Sequence, residues 1–154
     1  MRRLFATAWT IWLFDFATKT WALHSLSSQP RKIISSFLQF TLVHNSGAAF
    51  SFATGFTFAF SLLALAVVFA VIYYAPKLTS HGWQIAIGLL LGGVLGNLTD
   101  RIFREPSFLS GHVIDWIQIP HWPVFNIADS AICIAAAIAF VLSMRNVPPI
   151  TRVR

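Results

Sequence analysis

A chain of 154 residues that is 56% hydrophobic and only 10% charged is not built like a soluble domain, in which about 25% of residues are charged. Its net charge of +6 comes from eleven basic and five acidic residues. The basic ones lie mostly beside apolar runs, so they read as a topology signal and not as a nucleic-acid surface.

The first apolar stretch follows Arg2 and Arg3, and a span over about residues 4–23 is expected. It contains Asp15 and Lys19, one helical turn apart and able to neutralise each other. These charges, with no small-x-small cleavage site after them, mark a retained anchor and not a removed leader. Residues 24–55 are long for a link. They open with Ser25, Ser27, Ser28 and Pro30, then turn apolar at Ile33–Ile34, and alternation through Phe40 and Leu42 favours a short strand. Such a segment lies on the membrane surface or covers a site. It ends in His44-Asn45-Ser46-Gly47-Ala48-Ala49, an amide followed by small residues that leave room for a ligand or a helix.

The second span, 56–75, is uncharged, and a short link holding Lys77 joins it to a third, 82–101. Gly92 and Gly96 in the third have the spacing that lets helices approach closely, and Asn97, Asp100 and Arg101 close it. Pro106, Gly111, Pro120 and Pro123 exclude a continuous helix from the next link, which carries Asp115. The fourth span, 125–144, carries Asp129 and Cys133. As the only cysteine, Cys133 permits no intramolecular disulfide and reads as a packing residue. Trp21, Trp83, Trp116 and Trp122 fall near the expected interfaces. Four spans put Arg2, Arg3, Lys77, Arg145, Arg152 and Arg154 on one side, which is therefore inside. The expected fold is a single integral membrane domain over residues 1–154. It is an all-α membrane protein of four transmembrane helices, N-in/C-in, with a small partly β outer segment.

This topology gathers Asp15, Asp100, Asp115 and Asp129 in or at the outer leaflet. A carboxylate there costs several kcal/mol unless it faces protein, water or a partner. Two that share a space cannot both ionise easily, so one stays protonated while the other acts as a base. Asp115 and Asp129 therefore read as an aspartic-protease pair, with structural ion pairing as the plainer alternative. Asn45, Asn97 and Arg101 could hold an unwound peptide backbone, whose polar groups go unsatisfied in lipid. A small proton-coupled transporter would also bury carboxylates, but the inner halves of the spans lack ionisable groups to continue a path. A structural membrane subunit would leave Asp115 and Asp129 idle. No His-Glu-x-x-His, Gly-x-Ser-x-Gly or phosphate-loop motif occurs.

Five blocks together resemble the lipoprotein signal peptidases (signal peptidase II). They are Asp15-Phe-Ala-Thr-Lys19, Asn45-Ser-Gly-Ala-Ala-Phe50, Gly92-Gly-Val-Leu-Gly-Asn97-Leu-Thr-Asp100-Arg101, Val113-Ile-Asp115-Trp116 and Phe125-Asn126-Ile-Ala-Asp129-Ser130. The resemblance implies a membrane-embedded aspartic endopeptidase of the bacterial inner membrane, with its site on the periplasmic side. It would cut diacylglyceryl-modified prolipoproteins just before the lipidated cysteine. It implies Asp115 and Asp129 as the catalytic pair. Asn45, Gly93, Asn97, Arg101, Asn126 and Ala128 would line or order the site, and Asp15 and Lys19 would support it. It further implies contact with membrane lipid, inhibition by globomycin-type cyclic peptides, and no metal or other cofactor.

Overall fold

The computed structural model describes residues 1–47 and 56–150. Residues 48–50 of the Asn45 block, and Arg152 and Arg154, lie outside the described residues. Among those described, the chain forms α1 (Arg2–Ser25), β1 (Arg31–Ile34), β2 (Leu38–Asn45), α2 (Thr57–Tyr74), α3 (His81–Phe103), β3 (Val113–Gln118) and α4 (Ile127–Met144). The architecture is mostly helical with one small antiparallel sheet. α2, α3 and α4 are long and apolar enough to cross a membrane. α1 is 24 residues long but carries the buried charges Asp15 and Lys19.

α3 is the central helix because its glycines let its neighbours come close. A Cβ at Gly92 would lie 2.7 Å from the Ala8 carbonyl oxygen of α1, and one at Gly93 would lie 2.5 Å from that of Ala128 in α4. Adjacent glycines thus serve two different helices, and only hydrogen side chains fit at both contacts. Leu4, Ala8, Val71, Ala75 and Leu91 form an apolar cluster at one end of the bundle. Outward faces are apolar as well: Phe69 is 68% exposed and Phe140 is 65% exposed. In water such surfaces would drive aggregation. Against lipid tails they cost nothing.

The sheet stands at the other end, in the order β1-β2-β3. The strand expected near Phe40 and Leu42 is the middle of β2. β3 corrects the sequence reading, which assigned no strand to the link after α3. Its first four residues are all buried, so the alternation that marks a half-exposed strand is missing. Trp116 is only 7% exposed and packs edge-on against Trp21 and Phe40. The register pairs Val43 with Asp115 and Asn45 with Val113. Asn45 and Asp115 therefore lie diagonally on one face of the sheet.

Candidate active site

Asp115 reaches the site from β3 and Asp129 from the first turn of α4. Both line one cavity of about 400 Å³, together with Asn45, Asn97 and Arg101. The two carboxylates that the sequence singles out are thus brought together.

Asparagine amides hold each of them. Asp115 Oδ2 accepts from Asn45 Nδ2 at 2.8 Å, and its Oδ1 accepts from Asn126 Nδ2 at 2.6 Å. Asp129 Oδ1 accepts from Asn97 Nδ2 at 2.8 Å. Asp129 is also part of the helix start. Its backbone N–H donates to Asn126 Oδ1 at 2.9 Å, and its Oδ2 accepts from the Asn126 N–H at 3.2 Å. This reciprocal capping box fixes the rotamer of Asp129 through the end of α4 itself. Asn126 is fully buried and ties both aspartates to one residue. In Asn45, Oδ1 accepts from the Gly47 N–H at 2.9 Å. Gly47 has φ +119°, a conformation that side-chain-bearing residues rarely adopt.

Burial first, and the Asp129 charge second, push the Asp115 carboxyl up to about 7. The two asparagine amides and Lys19 pull the other way without overcoming them. Asp115 therefore holds a proton well into the range where an ordinary aspartate has lost it.

Behind the cavity lies an ion cluster that the sequence shows only in part. Lys19 Nζ is 2.7 Å from Asp15 Oδ2 and 2.8 Å from Asp100 Oδ2. It also donates to Asn97 Oδ1 at 2.9 Å. Asp100 additionally pairs with Arg104 at 2.5 Å and accepts from the Ile114 N–H at 3.2 Å. Asp15 Oδ1 accepts from the Ala128 N–H at 2.9 Å, so a carboxylate of α1 meets the positive end of α4. Gly93 and Ala128 touch each other at the α3–α4 contact and take no direct part in the cavity wall.

Arg101 lines the cavity with Nη1 buried and without a hydrogen-bond partner among the described residues. Its guanidinium carbon sits 5.9 Å from the Phe60 ring centroid. Cys133 corrects the sequence reading. It is exposed and lines the cavity one turn after Asp129, instead of packing in the bundle. The signal was its spacing from Asp129, which puts both on one helix face. Trp122, which the sequence places only near an interface, and Phe125, which opens the last of the five blocks, also line the cavity. Among the described residues, no three His, Cys, Asp or Glu side chains are grouped to hold a metal ion.

A family model described as "Signal peptidase (SPase) II" matches residues 7–145. A lipoprotein signal peptidase of Mycobacterium avium (strain 104) is 43% identical over 145 residues, covering 94% of this chain and 80% of the relative. One from Streptomyces coelicolor is 45% identical over 147 residues, covering 95% and 72%. A solved structure titled "Bacterial membrane enzyme structure by the in meso method at 2.3 A resolution" superimposes with a TM-score of 0.82 at 26% identity, covering 100% of this chain and 96% of that one. A second, solved at 1.9 Å, gives a TM-score of 0.81 at 28% identity, covering 94% of each chain. None of these likenesses speaks for a transporter.

Proposed function

Because the chain belongs to the signal peptidase II family, and so removes signal peptides from prolipoproteins, we propose that it does this as an aspartic endopeptidase through Asp115 and Asp129. One observation carries the reading: two carboxylates from different elements line one cavity, each held by asparagine amides. Protonated Asp115 polarises the scissile carbonyl, and Asp129 takes a proton from the attacking water. As the tetrahedral intermediate collapses, the pair returns a proton to the leaving amine. Arg101 Nη1, without a hydrogen-bond partner among the described residues, offers a donor to a substrate backbone that has left its helix. The reaction draws on no cofactor.

All four helices cross the inner membrane, with both termini inside and the sheet at the periplasmic face. Two hydrogen bonds support that arrangement. Trp83 Nε1 donates to the Val147 carbonyl at 2.8 Å, and the Thr79 N–H donates to that of Pro149 at 3.1 Å. The α2–α3 link and the segment after α4 therefore share the end opposite the sheet. The substrate is a prolipoprotein carrying a diacylglyceryl group, cut just before the modified cysteine, and globomycin blocks the cavity. Purified protein mixed with a diacylated prolipoprotein peptide tests this by mass spectrometry. The expected product begins at the lipidated cysteine and disappears with globomycin. A different cut site, or cleavage indifferent to globomycin, would contradict the proposal.

A further inference from the structure

We propose that Lys19 is a positioning residue that orients the Asn97 amide and so delivers a hydrogen-bond donor to Asp129, an inference that rests on the aspartic reading above. An ammonium has three donors and no acceptor. The Asn97 atom lying 2.9 Å from Lys19 Nζ must therefore be the carbonyl oxygen. That leaves its NH₂ facing Asp129 Oδ1 at 2.8 Å. Turning the amide over would set NH₂ against the ammonium and oxygen against the carboxylate, two repulsions in a buried place.

The ammonium cannot drift, because its other hydrogens are committed to Asp15 at 2.7 Å and Asp100 at 2.8 Å. Asn126 Nδ2 also points at Asn97 Oδ1, but at 3.2 Å and without a charge. The charge-assisted bond is the stronger one. Asp129 is faced by Asp115 from β3 and by Arg101 and Asn97 from α3, with Lys19 and Asp15 of α1 and Asp100 of α3 behind them. Of these, Asn97 is the neutral donor whose direction depends on a residue outside the cavity. In this arrangement Lys19 holds in place the donor that fixes the Asp129 carboxylate, without touching substrate.

Lys19→Met alone would strand two buried carboxylates, so it is paired with Asp15→Asn, which removes one charge of each sign. Asn97→Asp is the second variant. It keeps an oxygen for Lys19 and turns the donor facing Asp129 into an acceptor. In both, kcat on the diacylated peptide should fall about tenfold or more while KM stays within about threefold. A folded variant of either kind with the wild-type kcat would overturn the inference. Loss of folding in both would also overturn it, by reducing Lys19 to a structural part. Asp115→Asn and Asp129→Asn run alongside separate the failures. If either retains activity, the aspartic reading falls. If both are dead while the Lys19 and Asn97 variants keep the wild-type kcat, only the role of Lys19 falls.

Discussion

Asn126 performs two tasks with one side chain. Its Oδ1 caps α4 and its Nδ2 holds Asp115. The cap forces the amide direction, because a backbone N–H can only donate. Asn126→Ala should therefore lose about 1 kcal/mol of stability from the missing cap, and also turnover from the freed Asp115. Thermal unfolding and kcat on the same preparation check this, and an unchanged kcat would show that the amide does not matter to Asp115. The Asp115 carboxyl, raised to about 7 by burial and by Asp129, sets a pH limit with a definite sign. Activity that needs its proton is present below that value and falls as pH rises through it. The apparent value belongs to the pair. A kcat/KM profile flat from about pH 6 to about pH 9 would exclude this assignment. Asp115 and Asp129 stand out in the sequence because carboxylates near lipid are costly. Asn126, Gly93 and Ala128 were reachable only through the family resemblance. The reach of Lys19 to Asp100 and Asn97 was not legible at all, since it depends on how closely α1 approaches α3.

That approach is a property of the helices and not of any one side chain. The glycine face of α3 decides how near α1 and α4 come, and with them Lys19 and Asp129. Gly88 and Gly93 make similar contacts in different places. An added Cβ would lie 2.6 Å from the Leu4 carbonyl oxygen in one case and 2.5 Å from that of Ala128 in the other. Alanine at either position should cost about 1–3 kcal/mol as overpacking. Only Gly93→Ala displaces the start of α4, so only it should lower kcat, by about tenfold or more. An equal kcat loss in Gly88→Ala would show that general loosening governs activity. The long apolar runs made the helical stretches readable. β3 was hidden by burial on both faces, which removes alternation, and by the prolines and glycine around it, which suggested an irregular link.

The assembled molecule puts its polar machinery at one end, under the sheet, and leaves many large apolar side chains exposed along its helices. Asp129 lies in the first turn of α4, within about 5–6 Å of the helix end, so under the proposed aspartic mechanism the scissile bond would be presented at that shallow level. A diacylglyceryl group anchored among the lipids would hold the modified cysteine there. An unmodified peptide in the same vesicles should be cleaved at least about tenfold more slowly, and equal rates would remove the lipid from the explanation of selectivity. The chemistry itself is tested most directly by one measurement. Asp115→Asn and Asp129→Asn keep the shape of each side chain and remove the titratable proton. With the proteins purified, folded and given the diacylated peptide, cleavage by each should fall at least about 10²-fold. Cleavage by either folded variant at a rate near that of the wild type would contradict the assignment of Asp115 and Asp129 as the catalytic pair.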